Sequence, residues 1–304
     1  MKPDAVLIAG PTASGKSGAA LALAEQIRGT IVNTDSMQVY REARILTARP
    51  SDEDMARVPH RLYGYVSVYD HYSTVRYQAD ALEAIAQVRA SKRVPIFTGG
   101  TGLYFSALTD GFSDIPPVPM DIREKTRARF DEMGADPFFA ELIARDPDSA
   151  KRLRASDRQR VLRAAEVLEA TGHPITHWQK TKRPAPFDGL TLACFVISPP
   201  RAELHARIDA RFESMIKAGA PEEAVALADI DPDLPAAKIL GLRELFAMRS
   251  GVLEPAAAIA EAQAATRQYA KRQVTWFRHH MEDWHWIETK DLSNILAEIL
   301  SHLA

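Results

Sequence analysis

The chain has 304 residues, 46% hydrophobic and 26% charged, so it can bury a large core, and its one cysteine excludes a disulfide framework and a zinc site of paired cysteines. With a net charge of −2, the protein's overall field cannot attract a nucleic acid, so such a partner would need a local basic patch. No apolar run approaches the about 18 residues of a membrane span and no targeting segment precedes the first strand, so we expect a cytoplasmic protein without a membrane partner.

The first predicted element is a strand, Ala5–Ala9, which leads directly into a phosphate-binding motif. Residues 10–17 are GPTASGKS, which matches G-x-x-x-x-G-K-[ST], and residues 18–28 have helical character. In such a loop, backbone N–H groups surround a di- or triphosphate, Lys16 adds a positive charge, and Ser17 offers a hydroxyl to Mg²⁺. The residues predicted to bind phosphate are Gly10, Pro11, Thr12, Ala13, Ser14, Gly15, Lys16 and Ser17. The alternative is an ordinary glycine-rich turn.

Strands and helices continue to alternate through the first third of the chain. We predict a strand at 30–33, a helix at 77–91 and a strand at 94–98, which together indicate a parallel α/β sheet. Asp35 and Thr101 each follow a strand, as the phosphate loop does, and the carboxyl ends of parallel strands share one edge of the sheet. Asp35 could accept a proton or hold Mg²⁺ there, unless it only caps a helix or a turn.

The chain changes character after residue 113. A proline-rich connector precedes helical patterns at 121–133, 137–145 and 157–171, and strand character returns only at 190–197. We therefore expect a helical insertion at 115–188 within a core made of 1–114 and 189–304. The core should end in helices at 201–218, 236–249 and 255–280.

Basic residues are concentrated in the predicted insertion. Six of them lie between Lys151 and Arg163 against one acid, Asp157, and Lys180, Lys182 and Arg183 follow. This concentration indicates a phosphate-backbone footprint, although a basic run is more often a solvated helix face. A second stripe on the last long helix consists of Arg267, Lys271 and Arg278.

Five motifs resemble the tRNA dimethylallyltransferase family. They are GPTASGKS at 10–17, DSMQVYR at 35–41, GGTGLY at 99–104, DRQRVLRA at 157–164 and ATRQYAKRQ at 265–273. The resemblance runs nearly end to end and implies a P-loop NTPase-like parallel sheet flanked by helices, with a helical insertion. It also implies transfer of a dimethylallyl group from dimethylallyl diphosphate to the exocyclic amine of the adenosine on the 3′ side of the anticodon, with diphosphate released and Mg²⁺ as cofactor.

The resemblance also implies roles for particular residues. Asp35 would take the proton of the amine, Thr101 would position or relay near it, and Arg207 or Arg211, four apart on one helix face, would clamp the diphosphate. The residues implied in binding the tRNA anticodon stem-loop are Asp35, Ser36, Met37, Gln38, Thr101, Arg123, Gln159, Arg160, Val161, Leu162, Arg163, Lys238, Ile239, Leu240, Gly241, Leu242 and Arg243. Of these, Val161 and Leu162 suit core packing as well as contact, and Leu240 and Leu242 suit packing better than contact.

Some residues depart from the family pattern, and three other functions stay open. After Arg41 the chain has Glu42 to Thr47 where a Gly-Met-Asp-Ile-Gly-Thr-like run is usual, and His60 is followed by Arg61 where a second histidine is common. The alternatives are a small-molecule P-loop kinase that uses ATP, an RNA-binding module with nucleotide as a switch, and a transferase acting on free adenine nucleotides. We expect a monomer.

Overall fold

The structure, a computed structural model, describes residues 3–180 and 184–303 and is built around one parallel sheet. Its six strands have the order β3-β2-β4-β1-β5-β6, and every neighbouring pair is parallel. The strands are β1 (Ala5–Ala9), β2 (Gly29–Asn33), β3 (His60–Arg61), β4 (Val94–Gly99), β5 (Leu192–Ile197) and β6 (His285–Ile287). The predicted α/β class with a parallel sheet is confirmed.

Helices account for most of the rest of the described chain. They are α1 (Lys16–Ile27), α2 (Asp52–Arg57), α3 (Thr74–Ala90), α4 (Gly102–Thr109), α5 (Met120–Met133), α6 (Ala135–Arg145), α7 (Pro147–Ala150), α8 (Arg158–Thr171), α9 (Ile175–Trp178), α10 (Arg201–Lys217), α11 (Ala220–Ala226), α12 (Leu242–Arg249), α13 (Pro255–His280) and α14 (Leu292–Leu303). Among these described helices, none is long and apolar enough to cross a bilayer.

Both faces of the sheet are covered, which explains why its strands are continuous apolar runs. Side chains alternate along β1, so Val6 and Ile8 join a cluster with α1 and α14 on one face. Leu7 of β1, Val32 of β2 and Phe97 of β4 join the larger cluster on the opposite face, with residues of α3, α4 and α13. The strand ends are therefore held rigidly, and the loops that follow them are well placed to form a site.

The chain divides into two compact units. One consists of Met1–Leu108 with Phe187–Ala304, and the other of Thr109–Pro186. The second unit contains α5 to α9. It begins six residues before the predicted start of the insertion, at 115, and ends two residues before its predicted end, at 188. It has a small core in which Phe130 and Phe138 pack with Val161 and Leu168.

Capping residues set where the helices begin. The helix predicted at 77–91 starts at Thr74, because the Ser73 hydroxyl accepts a hydrogen bond from the backbone N–H of Arg76 at 3.2 Å. α8 starts after Asp157, whose carboxylate accepts from the backbone N–H of Arg160 at 3.3 Å. In each case a short polar residue satisfies a backbone group that the first turn leaves free.

The single helix predicted at 236–249 is wrong. Residues Pro235–Lys238 form a 3₁₀ turn, and α12 begins only at Leu242. Between them Gly241 has φ of 83°, and a Cβ at this position would lie 2.9 Å from the ring of Phe212. Two short strands and six short or terminal helices were also not predicted from the sequence: β3, β6, α2, α4, α7, α9, α11 and α14.

Candidate active site

The phosphate loop, defined as residues 10–17, joins β1 to α1 at the carboxyl edge of the sheet. Its backbone takes left-handed conformations at Ala13, with φ of 63°, and at Gly15, with φ of 95°. Such a sequence of turns directs successive N–H groups to one side and ends at the N-terminus of α1, an arrangement that suits an anion. The structure thus places the predicted motif in the strand-loop-helix context that it requires.

Lys16 lies within this loop with its charge incompletely compensated. Its Nζ donates to the Pro11 carbonyl at 3.2 Å. Burial lowers the pKa of Lys16 to about 8, the charge of Asp35 opposes this change, and Arg211 adds to it. A bound diphosphate would supply the missing negative charge.

Two arginines of α10 reach the same loop. Nη1 of Arg207 donates to the Ser14 carbonyl at 3.5 Å, and Nη2 of Arg211 donates to the Thr12 hydroxyl. Burial lowers the pKa of Arg211, with Asp35 opposing and Arg207 contributing to the change. The sequence analysis left open which arginine would bind the diphosphate, and the structure brings both guanidinium groups to the loop.

Asp35 follows β2 and is held in place by Asn33. The fully buried Asn33 side chain accepts from the Asp35 N–H at 2.8 Å and donates to the carbonyls of Asp35 and Leu62 at 2.9 and 3.0 Å. Oδ1 of Asp35 accepts from the Met37 N–H at 2.9 Å. Within the described chain no donor is recorded for Oδ2, so one carboxylate oxygen remains for a substrate.

Thr101 is fastened to the Asp35 segment. Its hydroxyl accepts from the Ser36 N–H at 2.9 Å and donates to the Ser36 hydroxyl at 3.2 Å, and its N–H donates to the Thr34 carbonyl at 3.2 Å. The Tyr269 hydroxyl of α13 lies beside Thr101; burial and the charge of Asp35 raise the Tyr269 pKa, while the Thr101 hydroxyl opposes the rise. The two strand-end loops predicted to share a site are therefore connected directly.

The contacts of α13 with the site were not predicted from the sequence. Gln273 connects the backbone of Thr12 to that of Gly100, and Tyr269 contacts Thr101. The two side chains are four residues apart and so share one helix face. The motif at 265–273 had indicated the segment, but nothing local in it indicates the partners of these side chains.

Gln38 has a structural partner that the sequence did not predict. Its side-chain Nε2 donates to the carbonyls of Thr47 and Ala48 at 2.9 and 3.1 Å, so both of its N–H groups hold the neighbouring turn. Only its oxygen remains to contact a base. Ser36 and Met37 are half-buried beside it.

The predicted tRNA-binding residues of the first unit include both exposed and buried side chains. Lys238 and Arg243 are exposed and Leu240 is half-buried. Ile239, Gly241 and Leu242 are buried, and the two apolar side chains pack in the main core, so a contact with RNA through those side chains is not available. The assignment of these three residues to RNA binding stays a prediction, and the structure limits any contact to their backbone atoms.

The second unit shows the same division. Val161 and Leu162 are buried in its core, whereas Gln159 and Arg160 are exposed. The assignment of Val161 and Leu162 as RNA-binding residues stays a prediction, and their buried side chains leave only the backbone for such a contact. Arg123 and Arg163 are half-buried, and burial lowers the pKa of Arg163, with the nearby Arg123 adding to that effect.

An arginine concavity lies at the N-terminal end of α8. It has a volume of about 390 Å³. The arginines that line it are Arg152, Arg154, Arg158 and Arg160. Arg158 pairs with Asp131 at 2.7 Å and Arg160 with Asp157 at 3.4 Å. The predicted basic residues Lys182 and Arg183 lie outside the described residues.

The sequence matches two family models and is similar to many relatives. The model described as IPP transferase matches residues 38–280, and the one described as isopentenyl transferase matches residues 3–67. The chain is 48% identical over 299 residues to the tRNA dimethylallyltransferase of Nitrobacter hamburgensis, covering 98% of this chain and 94% of the relative. It is 52% identical over 278 residues to the protein of the same name from Rhodospirillum centenum, covering 91% and 88%.

Solved structures resemble the chain over nearly its whole length. The tRNA isopentenylpyrophosphate transferase of Bacillus halodurans matches with a TM-score of 0.69 and 29% identity over 99% of this chain and 97% of the other. A eukaryotic dimethylallyltransferase, whose structures describe it acting on tRNA, matches with a TM-score of 0.79 and 25% identity over 95% and 74%. The two family-model matches together span the phosphate loop and Asp35, within residues 3–67, and α13, within residues 38–280.

Proposed function

Because this chain belongs to the tRNA dimethylallyltransferase family, we propose that its site transfers a dimethylallyl group from dimethylallyl diphosphate to N6 of the adenosine on the 3′ side of the anticodon. Prenyl transfer to tRNA is the activity of the family, and the kinase alternative is not favoured. One observation carries the finer assignment. Gln273 bonds both to Thr12 of the phosphate loop and to Gly100, and the adjacent Thr101 bonds to Ser36 beside Asp35, so a candidate base lies beside the candidate diphosphate site.

The first requirement of this reaction is stabilisation of the leaving group. As the bond between the allylic carbon and the diphosphate oxygen breaks, negative charge builds up on the diphosphate. The loop N–H groups, Lys16, Arg207 and Arg211 surround the position that this charge would occupy. Donors and charges fixed in advance are usually the largest single contribution to catalysis.

The second requirement is removal of a proton from a weak nucleophile. The lone pair of the adenine amine is delocalised into the ring, and N6 becomes positively charged as its bond to the allylic carbon forms. Oδ2 of Asp35 would accept the proton, because Oδ1 is already bonded to the Met37 N–H. Thr101, fixed by its hydrogen bonds to Ser36 and Thr34, would position the adenine amine or relay its proton.

The site also suits a divalent cation, which we assign as Mg²⁺. Among the side chains that the structure describes, no group of three or more His, Cys, Asp or Glu could hold a metal alone. Ser17 is exposed at the start of α1, and its hydroxyl, diphosphate oxygens and water form the oxygen donor set that Mg²⁺ prefers. The ion would supply charge neutralisation at the leaving group.

The anticodon stem-loop is the proposed RNA partner. An unpaired adenosine can leave its stack and enter the site, while arginines and lysines bind the phosphates. Exposed side chains suited to this are Lys238 and Arg243 in the first unit and Gln159 and Arg160 in the second. We propose that the enzyme acts on this substrate in the cytoplasm and as a monomer.

A transfer assay tests this function. Wild-type protein with dimethylallyl diphosphate, Mg²⁺ and an unmodified stem-loop should add one five-carbon unit to the RNA, as measured by mass spectrometry. Asp35→Ala removes the proton acceptor and should lower the transfer rate at least about 10²-fold while RNA binding is kept. Glu53→Ala, which removes an exposed acid on α2, is the matched control and should not change the rate.

Three results would contradict the proposal in different ways. Phosphoryl transfer from ATP without modification of RNA would indicate a kinase. Full activity of Asp35→Ala would remove Asp35 from its role as base. Equal turnover of free adenosine monophosphate and stem-loop would indicate a transferase acting on free nucleotides.

A further inference from the structure

One face of α13 contacts both loops that the proposed reaction uses. Tyr269 lies beside Thr101, Gln273 bonds to Gly100 and Thr12, and the ring of Trp276 lies against Gly102. We propose that Gln273 is a positioning residue that holds the phosphate loop and the loop at 99–102 at the separation that prenyl transfer needs. This inference rests on the function proposed above.

The two hydrogen bonds of Gln273 use both ends of its amide. Oε1 accepts from the Thr12 N–H at 2.9 Å, and Nε2 donates to the Gly100 carbonyl at 2.8 Å. The Gln273 side chain is 6% exposed, so water does not easily replace either bond. A side chain that only accepts or only donates cannot make both contacts.

The space around Gln273 is shaped for this contact. A Cβ at residue 100 would lie 2.2 Å from Nε2, so a residue without a side chain is needed for the amide to reach the backbone there. On the other side, Thr12 is held twice, because its N–H bonds to Gln273 and its hydroxyl accepts from Arg211. The phosphate loop is therefore tied to α13 and to α10 at one residue.

The consequence concerns the distance between two reactants. The phosphate loop would hold the diphosphate, and the loop at 99–102 carries Thr101 beside Asp35. A displacement of about 1 Å between reacting groups can cost on the order of 10²-fold in rate, even when each substrate still binds. Loss of Gln273 should therefore lower kcat much more than it weakens the binding of either substrate.

Gln263 offers a matched control on the same helix. Its Nε2 donates to the Asp209 carbonyl on α10 at 3.3 Å, so it also ties α13 to a neighbouring backbone, but it contacts neither loop. Gln263→Met removes the same chemical group as Gln273→Met. Gln263 is half-buried, and the comparison separates loss of any amide that joins α13 to a neighbouring backbone from loss of this particular connection.

The experiment compares wild type, Gln273→Met, Gln273→Glu and Gln263→Met. For Gln273→Met we expect kcat to fall about 30- to 100-fold. The KM for dimethylallyl diphosphate, the Kd for inorganic pyrophosphate and the Kd for the stem-loop should change by less than about threefold. Gln273→Glu keeps an acceptor for Thr12 but places an oxygen against the Gly100 carbonyl, so it should lose at least as much. Gln263→Met should retain wild-type kcat.

Hydrogen exchange gives a readout that does not depend on turnover. Peptides that contain residues 10–17 and 99–104 should take up deuterium faster in Gln273→Met than in wild type, and at the wild-type rate in Gln263→Met. If Gln273→Met melts much earlier than wild type, Gln273→Glu, which has nearly the same shape, replaces it in the kinetic comparison.

The outcomes distinguish this inference from the function on which it rests. No transfer by wild type contradicts the proposed function. Active wild type with unchanged kcat in both Gln273 variants overturns the inference, and so does a loss that appears only in KM or in pyrophosphate binding. An equal loss of kcat in Gln263→Met shows a general effect of packing on α13 and overturns it as well.

Discussion

Lys16 is a residue whose placement costs the ligand-free protein stability. Its pKa is 10.5 in a model peptide and about 8 in the fold, chiefly because burial disfavours the charged form. Below pH 8 the lysine is protonated in both the folded and the unfolded state, so the full cost is present. Between about pH 8 and 10.5 the unfolded state binds more protons, and stability therefore rises with pH.

Lys16→Met should consequently stabilise the ligand-free protein. At pH 7 we expect its free energy of unfolding to exceed that of wild type by roughly 1–3 kcal/mol, and the difference should shrink as the pH is raised from 8 to 10. The same variant should lose most of its affinity for pyrophosphate. Urea unfolding at several pH values and calorimetric titration with pyrophosphate test both statements, and a variant less stable than wild type at pH 7 contradicts them.

Residues of this site can be predicted from the sequence where they belong to one contiguous motif. GPTASGKS is contiguous and follows a strand, so the functions of Lys16 and Ser17 can be predicted from spacing alone. Gln273 and Asn33 could not be predicted, because their importance depends on which backbone groups they meet in the fold. Gln38 shows the same limit, since its amide proves to hold Thr47 and Ala48.

At the scale of elements, the turn that follows the Asp35 segment is held by one carboxylate. Glu223 of α11 accepts hydrogen bonds from the backbone N–H groups of Arg44, Ile45 and Leu46 at 2.8–3.1 Å. This is the stretch where the sequence analysis expects a departure from the family pattern, at Glu42 to Thr47. Its backbone is therefore fixed from outside, by a residue far away in the chain, and its carbonyls can bind Gln38.

Glu223→Gln tests this anchor. An amide offers one acceptor oxygen in place of two, so at least one of the three N–H groups loses its partner, and the free energy of unfolding should fall by about 1–3 kcal/mol. Transfer activity should fall with it, because Gln38 and the Asp35 segment adjoin the turn. Glu222→Gln, at the exposed neighbouring position, is the control for denaturant unfolding and should match wild type. Equal stability of the two variants contradicts the anchor.

Long elements were predictable and short ones were not. α13 has the predicted bounds, 255–280, because many turns contribute to its pattern. β3 and β6 have two and three residues, too few for any period to be visible, and exist because neighbouring strands offer them an edge. The helix predicted across Gly241 failed because contact with Phe212, a tertiary constraint, decides the conformation there.

At the scale of the whole molecule, charge is distributed unevenly. The net charge of the chain is −2, yet the second unit carries the arginine concavity, where four arginines lie together. For Arg154 the described residues show no ion pair, and Arg160 has only its helix neighbour Asp157, so both guanidinium groups are open to a phosphate.

Arg154→Glu/Arg160→Glu should weaken binding of the stem-loop. We expect the slope of log affinity against log salt to become shallower by about 1.4–1.8, which corresponds to two lost phosphate contacts. Pyrophosphate affinity should not change. The control Arg89→Glu/Lys92→Glu makes the same change of charge in the first unit, at the amino end of β4, and should leave RNA binding unaltered. An unchanged salt slope in the first variant contradicts the assignment.

The strand order has a consequence for synthesis on the ribosome. β1 lies between β4 and β5, and β4 precedes the second unit while β5 follows it. In a nascent chain β1 can therefore pair with β4 early. Its other edge stays unpaired until the whole helical unit has been translated and β5 follows. Throughout that interval the growing polypeptide exposes an unpaired strand edge that can aggregate, so we expect chaperone binding to be greatest midway through translation.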